Sequence, residues 1–177
     1  MKETDFFAFM SLEAQRTALQ KTNEVAETFG LSLSEEDISF LLEERKESLQ
    51  KQGRVEFGEG ILPQIIYAFC DSDYLEQGDY AETLCRLQDI FYQFKSEALE
   101  ALTDEELLTF MREQFDEVCF GDLDYLENTC LKIFAEAVRA GYRGYQKNGG
   151  QGEYEQFDEI ARWDRNLYLQ ALEELYG

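Results

Sequence analysis

The sequence contains no histidine among its 177 residues. This absence excludes catalytic triads and dyads that use a histidine base, and it excludes zinc sites and Glu-x-x-His di-iron sites that need an imidazole ligand. An enzyme of this composition would have to use carboxylates, cysteine, lysine, arginine or tyrosine. We therefore favour a protein that is not an enzyme, and we predict no catalytic residue, no metal and no cofactor.

Basic residues are also scarce, since 16 Lys and Arg face 38 Asp and Glu, and the formal net charge is −22. Such a charge makes nonspecific binding to nucleic acid or to an anionic membrane surface unfavourable. It allows a basic protein partner, although solubility alone also explains an acidic surface. We expect no nucleic acid and no membrane among the partners, with a basic protein as the candidate, and the sequence defines no oligomeric state.

No apolar run reaches the length of a membrane span, and the apolar patch Phe6–Met10 follows acidic residues where a secretion signal would be basic. We therefore predict a cytoplasmic protein. The four cysteines are Cys70, Cys85, Cys119 and Cys130. Because no CxxC spacing occurs among them, we predict reduced and buried thiols rather than a zinc site.

Apolar residues recur at helical spacing along most of the chain, and no segment alternates convincingly with period two. Ser34 and Thr103 are each followed three residues later by an acidic residue that can close a capping box, and Gly53 suits a helix end. The predicted fold is all-α, a single-domain bundle of about six or seven helices over residues 1–177. A glycine-rich loop is predicted at 142–152, before a C-terminal helix.

The first helix is predicted over about Ser11–Thr28, with Gly30 at its end. Its predicted inward stripe includes Val25 and Phe29. The aromatic residues of the preceding segment are expected to dock as a turn, and they are Phe6, Phe7 and Phe9.

The chain is organised around residues 53–75, which contain three of the twelve glycines and the only proline. Pro63 suits the first turn of a helix, and the short apolar helix Leu62–Cys70 is expected to be buried at the centre of the bundle. Gly58 and Gly60 allow a tight turn, and we predict that one of them has a positive φ. Arg54 is expected to pair with carboxylates and to fix this loop over the helix.

Six residues are weak candidates for a binding site: Arg54, Glu56, Glu59, Asp71, Asp73 and Trp163. The segment Asp71–Glu82 has the length of an EF-hand loop, but Leu75 and Glu76 stand where an oxygen ligand and a glycine are required. The repeated Asp-Tyr-x-Glu motif could form a cation site, and we favour helix capping instead because its acidic residues suit the first turn of a helix.

Five segments carry a resemblance to a known family: GRVEFGEGIL, FCDSDYL, LQDIFYQFKSE, LTDEELLTFM and GDLDYLE. Over about Leu31–Tyr145 the chain resembles an uncharacterised family of small acidic proteins from anaerobic Gram-positive bacteria. The resemblance implies a bacterial cytosolic protein of unknown function. It brings no activity, ligand or catalytic residue.

These observations assign no activity, and the function that we favour is binding of another protein by an acidic, non-enzymatic helical protein. One alternative is a carboxylate-based metal-binding protein or enzyme, which the metal content of the purified protein would identify. Its candidate carboxylates are Asp71, Asp73, Asp122 and Asp124. The other is a mimic of nucleic acid that binds a basic protein, and such binding should weaken steeply with salt.

Overall fold

A computed structural model describes the backbone of residues 3–144 and the side chains from Leu12 onward. This part of the chain consists of helices and turns, which confirms the all-α class predicted from the sequence. Contacts divide the chain into two compact units, Met1–Gln93 and Phe94–Gly177. Trp163, the predicted C-terminal helix and most of the predicted glycine-rich loop lie outside the described residues.

The first unit contains three helices and most of a fourth: α1 (Glu3–Ala26), α2 (Glu35–Gln52), α3 (Leu62–Phe69) and α4 (Tyr80–Glu97), of which the last runs on into the second unit. Helix α1 packs against both α2 and α3. Most of the short α3 is buried, as the sequence predicted, and its buried residues are Leu62, Pro63, Ile65, Ile66 and Phe69. Tyr67 is the large apolar side chain of α3 that reaches solvent.

Local sequence signals set the ends of α2. The Ser34 hydroxyl accepts a hydrogen bond from the Asp37 amide at 3.1 Å, and the Asp37 carboxylate accepts one from the Ser34 amide at 3.0 Å. This capping box pairs two amides that the first turn of a helix leaves without partners. Gly53 ends the helix in the left-handed conformation, with φ of 63°, as predicted.

Two predictions for the first helix are wrong. Helix α1 begins at Glu3, so the segment with Phe6, Phe7 and Phe9 is helical rather than a docked turn. Acidic residues near its start favour a helix N-terminus there.

At the other end of this helix, Val25 and Phe29 were predicted to point inward, but their side chains are 43% and 50% exposed. Ala26 occupies the buried position beside Val25, and Phe29 lies in a tighter 3₁₀ turn, Glu27–Phe29, which changes the angle between successive side chains.

The second unit contains α5 (Asp104–Glu117) and a longer helical stretch built of α6 (Leu123–Tyr125), a π-helical turn (Leu126–Leu131) and α7 (Lys132–Arg139). Thr103 and Glu106 form the predicted capping box at the start of α5. Asp122 caps α6, because its Oδ1 accepts hydrogen bonds from the amides of Asp124 at 3.0 Å and Tyr125 at 3.2 Å. Helix α5 packs against the π turn.

Candidate functional site

The loop between α2 and α3, residues 53–61, is the irregular segment that the sequence marked as central. We call it the α2–α3 loop. It leaves α2 at Gly53 and meets α3 at Ile61, and both of its inner glycines are left-handed, with φ of 70° at Gly58 and 81° at Gly60. The predicted positive φ is therefore confirmed at both positions.

One carboxylate in this loop, that of Glu56, accepts hydrogen bonds from three donors. Its Oε1 accepts from Arg45 Nε at 2.6 Å and from the Tyr92 hydroxyl at 2.7 Å. Its Oε2 accepts from the Ile61 amide at 3.2 Å. We call this group, with Arg45, Glu56, Tyr92 and the Ile61 amide, the Glu56 cluster. It ties the loop to α2, to α4 and to the start of α3.

Gly60 lies directly against the Glu56 cluster. A Cβ atom at this position would come within 2.4 Å of Glu56 Oε1 and 3.1 Å of Arg45 Nε. A glycine is therefore needed both for the left-handed backbone and for the close approach of the carboxylate. From the other side, Gln15 Nε2 of α1 donates to the carbonyl of Gly58 at 3.2 Å, so α1 also holds the loop.

The surroundings of the Glu56 cluster keep the Tyr92 hydroxyl protonated. Burial is the main cause that raises the pKa of Tyr92 above its ordinary value, and the negative charge of Glu56 adds to it. Tyr92 therefore remains a hydrogen-bond donor at neutral pH. The guanidinium of Arg45 is buried against the carboxylate, and Nη2 also donates to the Glu56 carbonyl at 3.4 Å. The cluster fixes the backbone and offers no nucleophile.

The two neighbours of Glu56 in the chain are apolar and point into solvent. Val55 is 77% exposed and Phe57 is 86% exposed, whereas the Glu56 side chain between them is largely buried. Exposure alternates along residues 54–57, so the side chains on either side of the inward Glu56 point outward. Val55 and Phe57 are the two most exposed large apolar side chains in the described part of the chain.

The profile of one protein family, described as a family of unknown function (DUF6323), matches residues 18–144. The chain belongs to this family. The match covers the α2–α3 loop and every member of the Glu56 cluster. No curated protein and no solved structure matches the chain. Membership in DUF6323 confirms the resemblance to a family of unknown function, while the bacterial origin that the resemblance implies stays a prediction.

The structure places the predicted site residues of this DUF6323 protein in two groups. Arg54, Glu56 and Glu59 all lie on the α2–α3 loop, where Arg54 is half-buried and Glu59 is exposed. Asp71 and Asp73 follow the other end of α3, which at eight residues is about 12 Å long. Trp163 lies outside the described residues. The two groups are therefore not brought together into one site.

Sequence reasoning missed the long-range partners of Glu56 in this DUF6323 chain. One salt bridge that holds the loop comes from Arg45, eleven residues away along the chain, whereas the sequence directed attention to Arg54 inside the loop. One signal was present, because Arg45 falls on the apolar stripe of α2, and a buried guanidinium needs a carboxylate partner. No local signal pointed to Tyr92, since its role depends on how α4 packs.

Within the described part of the chain, no three Cys, Asp or Glu side chains are grouped so that they could hold a metal ion. Across those same residues, every helix is too short or too polar to cross a membrane. Asp122, one of the candidate carboxylates of the metal-binding alternative, caps α6.

Proposed function

We propose that this DUF6323 protein binds another protein by inserting Val55 and Phe57 of the α2–α3 loop into an apolar pocket on a basic partner. The single observation that supports this proposal is the exposure of both side chains on either side of the anchored Glu56. Aromatic side chains that enter a pocket contribute a large share of binding energy at protein interfaces.

The anchoring of the loop supports binding rather than accidental exposure. Three donors hold the Glu56 carboxylate, and the Gly58 carbonyl accepts from Gln15 on α1. A loop held in one conformation loses little conformational entropy when a partner binds, so the apolar contact of Phe57 translates more fully into affinity. The Glu56 cluster therefore presents Val55 and Phe57 in a preorganised way.

The chemistry of the partner follows from the charge around the loop. The whole chain carries a formal net charge of −22. Helix α2, which leads into the loop, exposes four acidic side chains, Glu35, Glu36, Glu43 and Glu47, against two basic ones, Lys46 and Lys51, and Glu59 of the loop is exposed as well. A partner pocket surrounded by Lys and Arg would be attracted to this surface and would associate faster at low salt. The apolar insertion then supplies the part of the binding energy that salt does not weaken.

The test compares two double variants that carry the same pair of substitutions. V55S/F57S removes the exposed apolar side chains of the loop, and V25S/F29S removes the exposed valine and phenylalanine of the α1 end. Wild type and both variants serve as baits in a lysate of the source cells, and captured basic proteins are then purified and titrated by calorimetry. We expect V55S/F57S to weaken binding by at least about tenfold, with V25S/F29S within about twofold of wild type.

Thermal melts accompany the titrations. Because the four substituted side chains are exposed, each double variant should stay within about 1 kcal/mol of wild-type stability. A basic partner that binds wild type and V55S/F57S equally would contradict the proposal. If that binding also disappeared steeply with added salt, the result would favour mimicry of nucleic acid by the acidic surface instead.

A further inference from the structure

Two buried cysteines of the second unit lie in direct contact. The Sγ atoms of Cys119 and Cys130 are 3.7 Å apart, and both residues are buried reduced thiols. Cys119 follows the end of α5, and Cys130 lies within the π turn. A disulfide needs a sulfur separation of about 2.05 Å, so a closure of roughly 1.6 Å would join them.

The backbone is irregular next to each of these cysteines. Phe120, directly after Cys119, has a φ of 49°, which is rare for a residue with a side chain, and Gly121 follows with φ of 84°. Cys130 lies in the π turn Leu126–Leu131, and π turns are rare and frequent at functional sites. Two unfavourable backbone features thus lie next to one sulfur pair.

The immediate surroundings favour reaction at Cys130. The hydrogen bond with Cys119 lowers the pKa of the Cys130 thiol, and this effect outweighs the opposing effect of burial. Cys85 shows the opposite environment. Burial, followed by the nearby carboxylates of Asp89 and Glu44, raises its pKa to about 12. Since the thiolate is the reactive form, the Cys119–Cys130 pair is the better nucleophile.

We propose that Cys119 and Cys130 form a reversible disulfide when a small peroxide oxidises the protein. The Cys130 thiolate attacks one oxygen of hydrogen peroxide, and the O–O bond breaks. Hydroxide is released, and Cys130 becomes a sulfenic acid. That hydroxide takes the Cys119 proton and becomes water. The Cys119 thiolate then attacks the Cys130 sulfur, and the hydroxide released from it takes up the proton that Cys130 lost at the start.

The atoms and electrons of this reaction balance. Two thiols and one hydrogen peroxide give one disulfide and two molecules of water, so the thiols lose two electrons and the peroxide gains them. A small uncharged oxidant suits the site, because Cys130 is fully buried and Cys119 nearly so. The product would covalently join the end of α5 to the π turn, and a thiol reductant would restore both cysteines.

The test uses the full-length protein, reduced, freed of reductant and treated with hydrogen peroxide. After denaturation, remaining thiols are alkylated, and the peptides are mapped by mass spectrometry. We expect a link between Cys119 and Cys130 within one chain, with Cys70 and Cys85 alkylated, and reduction with dithiothreitol before alkylation should leave all four cysteines alkylated. Alkylation of Cys119 and Cys130 to the untreated extent after peroxide would overturn the proposal, as would a link through Cys70 or Cys85 or between two chains.

Two single variants extend the test. In Cys119→Ser the sulfenic acid on Cys130 has no thiol partner and should be trapped by dimedone, which identifies Cys130 as the attacked sulfur. Cys85→Ser serves as the matched control and should form the same internal link as wild type. Loss of the link in Cys85→Ser would count against the proposal. The wild-type peptide map keeps the proposal falsifiable if Cys119→Ser fails to fold.

Discussion

Replacing Gly60 by alanine is the sharpest test of the Glu56 cluster, because one methyl group meets two separate obstacles. The residue has φ of 81°, and its new Cβ would come within 2.4 Å of Glu56 Oε1. Ordinary contact begins at 3.4 Å, so the oxygen would have to move by about 1 Å. The donors that hold the carboxylate, from Arg45, Tyr92 and the Ile61 amide, oppose that movement.

Gly58→Ala separates these two costs. Gly58 has φ of 70° and no atom within 4 Å of its would-be Cβ, so alanine there adds only the left-handed penalty of about 1–2 kcal/mol. At Gly60 the same penalty applies, and weakening a hydrogen bond to a charged group adds about 1.5–3 kcal/mol. We therefore expect Gly60→Ala to lower the free energy of unfolding by about 2 kcal/mol more than Gly58→Ala.

Urea denaturation followed by circular dichroism measures this difference. With a slope of about 2 kcal/mol per M, the midpoint of Gly60→Ala should lie about 1 M below that of Gly58→Ala. In a Glu56→Ala background the closest obstruction is gone and only the flexible end of Arg45, at 3.1 Å, has to give way, so Gly60→Ala should cost about as much as Gly58→Ala does. Equal losses for the two glycine variants in the wild-type background, within about 0.5 kcal/mol, would refute the close approach that we describe.

Three further predictions concern the first unit. Arg45→Lys removes the guanidinium that donates two hydrogen bonds to Glu56, and it should lower the free energy of unfolding by about 1–3 kcal/mol. The control Arg16→Lys changes an exposed ion pair and should cost less than about 1 kcal/mol. Urea denaturation measures both losses. Tyr92→Phe should cost about 1–2 kcal/mol at neutral pH. The folded state raises the Tyr92 pKa above the ordinary value of 10.0. Just above pH 10.0, the Tyr92 hydroxyl therefore loses its proton in the unfolded state only, and the stability of the wild type should fall as pH rises. The same fall should be smaller in Tyr92→Phe. The Cys85 thiol, with its pKa raised to about 12, should react with iodoacetamide at about pH 8 far more slowly than a small thiol does, as followed by mass spectrometry.

The parts of the fold that could be predicted from sequence are those in which a residue acts on its immediate neighbours. Ser34 and Thr103 cap helices because their hydroxyls reach an amide three residues away. Gly53 ends α2, and Pro63 stands in the first turn of α3, because each relaxes or fixes the conformation of its own backbone. These effects require no knowledge of the tertiary structure.

The parts that escaped prediction depend on residues distant in sequence. Glu56 and Tyr92 are 36 residues apart, and nothing near either residue indicates that they meet. The exposure of Val55 and Phe57 follows from that meeting, since it is the buried Glu56 that turns its neighbours outward. The π turn around Cys130 is likewise invisible to a pattern search that assumes a period of about 3.6 residues.

The π turn also changes how this stretch responds to insertions and deletions. Removing one residue from an ordinary α-helix rotates everything after it by about 100°, which exchanges buried and exposed positions. A π turn already holds about one extra residue, so a deletion within Leu126–Leu131 returns that turn to α geometry. The buried side chains of α7, including Phe134 and Val138, then keep their direction. Chains one residue shorter at this point can therefore share the same fold.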